Sequence, residues 1–376
     1  MRRSVVTTAA LAGVLAVSAV ACSDDDGPEN APSDQTRTGS PDARPDGKGR
    51  RKGVEALDLV TDLTSPWGLL VLDDGSLLVS ERDTRKIKRI PAGSPVQAEL
   101  VTTIEEAVPS GEAGLLGLAA TADESTVFAY YTSAEDNRIV AMSWDGATLG
   151  APEVIFDGIP HGEGNRHEGG RMVVGPDNLL YVGTGETGSS PDIAQDKDSL
   201  GGKILRLTLD GEPAPDNPFG NAVYSLGHRN VEGLAFDKDG NLWASEFGDS
   251  DWDELNLIEP GGNYGWPEIE GSGGGDEYVD PVAVWATADA SPSGLTFWKG
   301  SLWMAGLRGE RLWEIPVDGG QVGTPVPHLA GELGRLRTVE TNADGSGLLL
   351  ATSNTDGRGE PQDGDDRILT VTRSRR

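Results

Sequence analysis

Two short stretches place a histidine next to an arginine in a chain that is otherwise strongly acidic. They are "NRHEGGR" (165–171) and "GHRN" (227–230). The chain has 376 residues and a formal net charge of −30, but only four histidines. Arginine recognises carboxylates through two parallel hydrogen bonds, so sites rich in arginine suit anionic ligands. Whether the two stretches contribute to one site depends on the elements that hold them.

From residue 54 onward the sequence repeats a unit of about 40–60 residues, a period typical of propellers and solenoids. Each unit has three short apolar segments separated by polar turns such as "DDG" and "KDG", followed by a fourth apolar run. The alternation and the turn signals indicate strands rather than helices. The units pivot on Gly68, Gly117, Gly170, Gly233, Gly294 and Arg337.

Six units of four strands predict an all-β fold, a six-bladed β-propeller of four-stranded antiparallel blades. The sixth unit lacks one strand, whereas "VEALDLVTDL" (54–63) is left over before the first unit. We therefore expect this N-terminal segment to supply the missing strand and to close the ring.

In such a ring, the loops that precede the innermost strands and the loops between second and third strands surround the central channel on one face. Both histidine–arginine stretches fall in loops of the first kind, so we expect them to meet. We predict a cationic floor there that binds an anion. Each arginine could instead pair with a nearby Asp or Glu. The expected members are Arg166, His167, His228, Arg229, Arg308, Arg335 and Arg337.

The N-terminus predicts export. A basic "MRR" is followed by an apolar segment, too short and wrongly flanked for a stable membrane span, that ends in "AVAC" at Cys22. This resembles a bacterial lipoprotein signal with a lipidated cysteine; a plain secretory signal is the alternative. We expect a signal peptide (1–21), a polar disordered tether (22–53) and the propeller (54–376), hence a cell-envelope lipoprotein on the outer face of the membrane.

The acidic composition bears on partners. Nucleic acid requires a basic face that neutralises phosphates, and binding to a membrane surface by charge requires a polybasic segment. We therefore expect no nucleic acid partner, and contact with the membrane through the lipid anchor only.

Longer motifs in the repeats resemble the glucose/sorbosone dehydrogenase family, the soluble PQQ-dependent aldose sugar dehydrogenases. The resemblance covers roughly residues 57–373 and implies a six-bladed propeller. It also implies that an aldose is oxidised at its C1 hydroxyl to the lactone, with PQQ and Ca²⁺ as cofactors and an external electron acceptor. The motifs are "HEGGRMVVGPDNLLYVGTGE", "LGGKILRLTLDG", "DNPF", "YSLGHRNVEGLAF", "SEFG" and "DELNLIEPGGNYGWP".

The resemblance implies roles for particular residues. His167 matches the general base that takes the proton of the C1 hydroxyl, and Glu186 matches a carboxylate that orients this histidine. Arg229 matches the residue that polarises the reacting quinone carbonyl. The residues implied to contact the cofactor are Asn230, Arg308, Arg335 and Arg337, with Arg308 standing where glucose dehydrogenases have Lys.

The resemblance also implies a metal site and one further cofactor-binding position. Gly248 and Asp249 match the positions whose backbone carbonyls hold Ca²⁺, a cation that prefers oxygen ligands. Glu112 stands at a cofactor-binding position where the family has Gln, and an unpaired carboxylate there would repel an anionic cofactor. His161 and His328 match nothing in the family and are expected at the surface.

Two other functions fit a six-bladed propeller. A metal-dependent lactonase would need acidic and amide metal ligands, and the predicted arginines and histidines argue against it. A non-catalytic propeller that binds glycans or envelope proteins is also open, because a fold alone does not determine function.

Overall fold

The computed structural model describes residues 53–93, 97–162 and 164–374. Cys22, the signal peptide and the tether lie outside these ranges, so their assignments stay predictions. The described residues form six antiparallel sheets in a ring, which confirms the predicted six-bladed β-propeller. In these ranges we find no helix with the length and apolar character needed to cross a membrane.

The strands of the ring, and one 3-10 helix at Pro191–Ala194, follow one another in chain order. The strands are β1 (Val54–Val60), β2 (Pro66–Val71), β3 (Leu77–Glu81), β4 (Lys86–Ile90), β5 (Glu99–Thr103), β6 (Leu115–Ala120), β7 (Thr126–Thr132), β8 (Asn137–Ser143), β9 (Glu153–Ile159), β10 (Met172–Val174), β11 (Leu180–Gly183), β12 (Lys203–Leu207), β13 (Val223–Leu226), β14 (Val231–Phe236), β15 (Leu242–Glu246), β16 (Trp252–Ile258), β17 (Ala283–Ala286), β18 (Pro292–Trp298), β19 (Ser301–Gly306), β20 (Arg311–Asp318), β21 (Gln321–Val322), β22 (Val326–His328), β23 (Leu336–Thr341), β24 (Leu348–Thr352) and β25 (Ile368–Arg373).

Each blade uses consecutive strands, with one exception. Blades 1 to 4 are β2–β5, β6–β9, β10–β13 and β14–β17, from the channel outward. Blade 5 is β18, β19 and β20, with β22 and the two-residue β21 both paired to β20. Blade 6 is β23, β24 and β25, and its outermost strand is β1. The segment before the first repeat therefore closes the ring, as predicted.

The closing strand is fixed by register and by burial. Val54 lies opposite Arg373 and Val60 lies opposite Ile368. Val60 and Leu63 are buried in a cluster that also includes Val79 of blade 1. The segment that carries β1 thus joins the last blade to the first through both backbone pairing and the hydrophobic core.

The recurring glycine pivots have a steric cause. The innermost strands approach each other closely around the channel. At Gly117, an added Cβ atom would lie 2.0 Å from the carbonyl oxygen of Gly170 in the next blade. No side chain fits at that distance, so glycine is required where neighbouring blades converge.

His328 departs from its predicted surface position. Its side chain is 8% exposed, its ring stacks on Trp303, and its Nε2 lies 3.0 Å from a carboxylate oxygen of Glu314. The expectation that His328 is a surface residue was wrong. It ties the short β22 to the core of blade 5.

Removing the closing strand should destabilise the propeller. A variant that begins at residue 64 loses the buried side chains of Val60 and Leu63 and exposes the edge of β25. We expect the free energy of unfolding to fall by about 3 kcal/mol or more, from the two lost aliphatic side chains. Chemical denaturation against a control variant that begins at residue 53 measures this. Equal unfolding midpoints would show that β1 does not close the ring.

Candidate active site

A pocket of about 370 Å³ opens at one end of the central channel. It lies on the axis of the ring, because residues of all six blades line it. The lining residues are Trp67, Arg82, Glu112, Glu168, Gly169, Glu232, Phe247, Leu307, Arg337, Asp356 and Arg358.

Three residues of the pocket lining, Trp67, Glu232 and Arg337, form a network with Arg171 and Thr338 across the channel, and these five residues are here called the channel plug. The guanidinium carbons of Arg171 and Arg337 lie 4.3 and 5.8 Å from the centre of the Trp67 ring. Arg337 donates a 2.6 Å hydrogen bond to the Glu232 carboxylate. Arg171 donates to the Glu232 carbonyl at 2.7 Å and to the Thr338 hydroxyl at 3.1 Å. The plug joins blades 1, 3, 4 and 6.

His167 and Glu186 form a buried pair beside the pocket. The Nδ1 of His167 lies 2.5 Å from Oε1 of Glu186, and both residues are buried. Because a carboxylate accepts hydrogen bonds, this contact places the imidazole proton on Nδ1. The lone pair is then on Nε2, which has no hydrogen-bond partner among the described residues. The arrangement suits a general base.

The backbone of His167 is held in an uncommon conformation. Its φ is +56°, in the left-handed region that non-glycine residues rarely adopt. The His167 amide donates a 2.7 Å hydrogen bond to Oε2 of Glu112, and the Glu112 amide donates to the carbonyl of Asn165 at 2.9 Å. Glu112 thus fixes the loop that carries His167.

Glu112 is itself paired. Arg358 donates a 2.8 Å hydrogen bond to its Oε1. Burial acts to raise the pKa of Glu112, but the His167 amide and the Arg358 guanidinium outweigh it and hold the pKa below its ordinary value. The carboxylate is therefore charged but compensated. The structure therefore lacks the unpaired Glu112 carboxylate that was expected to repel an anionic cofactor.

Three arginines of the predicted cationic floor pair with acidic residues, the alternative that the sequence left open. Arg229 donates a 2.9 Å hydrogen bond to Asp249. Arg335 donates to Asp356 at 3.0 Å, and Arg337 lies 3.5 Å from the same carboxylate besides bonding Glu232. Burial acts to raise the pKa of Asp356, but the two arginines outweigh it and lower that pKa. Arg229, Arg335 and Arg337 therefore each have an acidic partner.

Three further members of the predicted floor do not line the pocket. His228 is fully buried, with Nδ1 2.9 Å from Glu246 and Nε2 2.8 Å from Ser225, so neither nitrogen can serve a ligand. Arg166 is exposed. Arg308 follows Leu307 of the pocket wall, but its side chain is exposed, and the structure gives it no ion pair among the described residues.

Asn230 lies behind the pocket rather than in its wall. It is fully buried, its side-chain carbonyl accepts the Gly169 amide at 2.9 Å, and its side-chain amide donates to Glu232 at 3.3 Å. Both side-chain groups therefore have protein partners. Asn230 connects the loop of His167 to the channel plug.

The predicted metal residues lie in the loop between β15 and β16. The Gly248 amide donates to Asp253 at 3.0 Å, and the Asp249 amide donates to Glu270 at 2.7 Å. Among the described residues no donor reaches the carbonyl oxygen of Gly248 or of Asp249. Two free backbone oxygens beside Arg229 suit a hard cation.

Sequence reasoning missed several residues of the pocket. Arg358 and Asp356 lie in a long polar loop without a recognisable motif, and their partners are distant in sequence. Glu168 adjoins His167 in a quoted motif, and a buried acid there was a signal that could have been used. Burial raises the pKa of Glu168 to about 8, so it is mostly uncharged near neutral pH.

Comparisons with known proteins identify the family of the chain. Residues 63–360 match the family model described as Glucose / Sorbosone dehydrogenase. The chain is 33% identical over 264 residues to quinoprotein glucose dehydrogenase B of Acinetobacter calcoaceticus, covering 60% of this chain and 54% of that protein.

Solved structures extend the comparison. The PQQ-bound form of an aldose sugar dehydrogenase from Streptomyces coelicolor is 53% identical, with a TM-score of 0.82 over 87% of this chain and 99% of that one. A putative oxidoreductase (glucose dehydrogenase) of Thermus thermophilus is 42% identical, with a TM-score of 0.79 over 85% and 100%. The chain therefore belongs to the glucose/sorbosone dehydrogenase family and is an oxidoreductase that acts on sugars.

Proposed function

We propose that the protein oxidises the C1 hydroxyl of aldose sugars to the lactone, with PQQ and Ca²⁺ as cofactors. The observation that carries this proposal is the buried pair of His167 and Glu186, which leaves Nε2 of His167 available as a base next to an axial pocket. The PQQ-bound relative from Streptomyces coelicolor supports the choice of cofactor.

The pocket fits a planar, anionic quinone. Trp67 and Phe247 supply aromatic surface in its wall. Buried polar atoms with no partner among the described residues border the same region, namely Nε of Arg337, Nε of Arg229 and Oε1 of Glu168. A ligand with several carboxylates and carbonyls would satisfy the two guanidinium groups. The mostly neutral Glu168 could donate a hydrogen bond to it.

The chain's residues divide the chemistry. When bound, PQQ supplies the quinone that accepts hydride from C1. His167 takes the proton of the C1 hydroxyl at Nε2, so the C1–O bond becomes the lactone carbonyl. Glu186 stabilises the imidazolium through Nδ1 and keeps the ring oriented. Arg229, held by Asp249 and lying 5.2 Å from the Trp266 ring, would donate hydrogen bonds to a quinone oxygen.

The free carbonyls of Gly248 and Asp249 would hold Ca²⁺, with cofactor oxygens completing its coordination. Arg335 and Arg337 would lie along the cofactor, and Arg308 would meet its outer edge. Asn230 would act through Gly169 and Glu232, which its side chain holds.

The cellular setting is part of the proposal. We infer export and lipidation at Cys22 from the "AVAC" sequence, with the membrane contacted only through that anchor. Electrons would leave to an external acceptor. The acidic composition supports a partner other than nucleic acid.

Reconstitution tests the function directly. Metal-free protein mixed with PQQ and Ca²⁺ should bind PQQ, seen by its absorbance after gel filtration, and should reduce a dye when aldoses are added. Excess chelator should remove both PQQ and activity, because metal and cofactor complete each other's ligands. Absence of PQQ binding at micromolar concentration would favour a non-catalytic propeller.

Replacing the base should separate chemistry from binding. His167→Ala should lower kcat by about 10²–10⁴-fold, the usual cost of losing a general base. PQQ binding should persist, since the cofactor's charge partners are the arginines. Steady-state kinetics with a PQQ titration of the same variant measures both. Unchanged turnover would remove His167 from the mechanism.

Glu112 should affect His167 more than it affects cofactor charge. Glu112→Ala leaves the strained His167 amide without its acceptor, and kcat should fall by about 10–100-fold through misplacement of the base. The matched variant Glu112→Gln keeps an acceptor and should retain most of kcat, with PQQ affinity within about threefold of wild type because Arg358 already compensates the charge.

The same measurements would also reveal the outcomes that contradict this prediction. If Glu112→Gln binds PQQ about tenfold more tightly than wild type, charge repulsion governs this position. If Glu112→Ala keeps full kcat, the carboxylate does not position His167.

A further inference from the structure

We propose that Glu270 is a positioning residue that shapes the loop at Gly248 and Asp249 for a divalent cation. This inference rests on the proposed function, because it concerns the metal site of that function. Its basis is one carboxylate oxygen: Oε1 of Glu270 accepts hydrogen bonds from the four consecutive backbone amides of residues 249–252, at 2.7, 3.1, 3.0 and 3.0 Å.

These contacts fix the direction of the carbonyl groups. In a trans peptide the amide N–H and the carbonyl of the preceding residue point in opposite directions. The peptide bonds of this loop are trans. Because the amides of residues 249–252 point at Glu270, the carbonyls of residues 248–251 point away from it.

Asp253 extends the same pattern by one peptide. Its Oδ1 accepts the Gly248 amide at 3.0 Å, so the Phe247 carbonyl also points away from the acidic side. Two carboxylates thus orient five successive peptide groups. The resulting row of carbonyl oxygens includes those of Gly248 and Asp249, which have no donor among the described residues. This is the ligand type that Ca²⁺ takes from backbone.

A carboxylate is the right group for this task. Convergent backbone amides form an anion-binding concavity, and leaving them without a partner would cost free energy. Glu270 comes from the long connection between β16 and β17 and fills that concavity with its Oε1 atom. The fit is tight, since a Cβ atom added at Gly248 would lie 2.5 Å from Oε1 of Glu270 and 1.9 Å from the Trp252 carbonyl oxygen.

The test measures Ca²⁺ alone, before any cofactor is added. Metal-free, PQQ-free protein is titrated with Ca²⁺ by isothermal calorimetry, for wild type, Glu270→Ala and Glu270→Gln. Glu268→Gln is the matched control, because it removes the same charge from an exposed residue two positions away. Residues that orient metal ligands typically change affinity by about 10–100-fold. We expect the Ca²⁺ dissociation constant to rise about tenfold or more for Glu270→Ala, less for Glu270→Gln, and not for Glu268→Gln.

A second measurement separates positioning from general destabilisation. Thermal unfolding in chelator should be similar for Glu270→Gln and wild type, and saturating Ca²⁺ should restore full PQQ binding to that variant. If Glu270→Ala does not fold, the shift in Glu270→Gln decides. An unshifted Ca²⁺ affinity in Glu270→Gln, or a shift that the Glu268→Gln control reproduces, overturns the proposal.

The two proposals fail in different ways. Wild type that binds Ca²⁺ in a Glu270-dependent manner but takes up no PQQ would support the positioning role and contradict the cofactor assignment. Wild type that binds PQQ with Ca²⁺, with no effect of Glu270 substitutions, would support the function and contradict the positioning role.

Discussion

The packing of the blades at the centre of this ring depends on the hydrogen bonds of Glu232. Its carboxylate accepts hydrogen bonds from Arg337 of blade 6 at 2.6 Å and from the Ser293 hydroxyl of blade 5 at 2.8 Å. The backbone carbonyl of Glu232 accepts a hydrogen bond from Arg171 of blade 3, and the other carboxylate oxygen of Glu232 accepts one from the side-chain amide of Asn230. One residue thus links four blades at the axis. Removing one partner of such a buried pair would leave an uncompensated charge, a strongly destabilising change.

The hydrogen bond between Glu232 and Asn230 also helps to fix the loop that carries His167. Asn230 turns its carbonyl to the amide of Gly169, two residues after His167. Glu112 holds the amide of His167 from the other side, and Glu186 holds its ring. The position of Nε2 is therefore set by three separate side chains rather than by the loop alone. This explains how a non-glycine residue persists at positive φ next to a pocket.

The sequence was sufficient for the fold because repetition is a global signal. Glycine pivots, alternating segments and turn residues recur in every unit, and the leftover strand at 54–63 had only one vacant place. The contact between His167 and Glu186 was also within reach, because both lie in loops of the same blade. The charge balance in the pocket could not be predicted from the sequence. Counting arginines along the chain gives no access to Asp356, which pairs with Arg335 and Arg337 within blade 6, or to Arg358, which reaches Glu112 in the loop before blade 2.

The same limit explains His228 and Glu270. His228 shares a motif with Arg229, yet one side chain lies inside the blade and the other beside the pocket. Motifs record which residues occur together but not which way each one points. Glu270 carries no sign of its task, since four backbone amides contribute no side-chain pattern. Its role is visible only in the geometry of the peptide groups.

The channel plug has a kinetic consequence. A propeller channel open at both ends would let two reactants arrive from opposite sides, but here Trp67, Arg171 and their partners block the axis. A second depression, lined by Val174, Phe236 and Phe297 among others, lies at the far end and shares no residue with the pocket. Under the proposed function, the sugar and the electron acceptor would therefore reach the site through the same opening. A sugar product that is still bound at this opening would then delay the arrival of the acceptor.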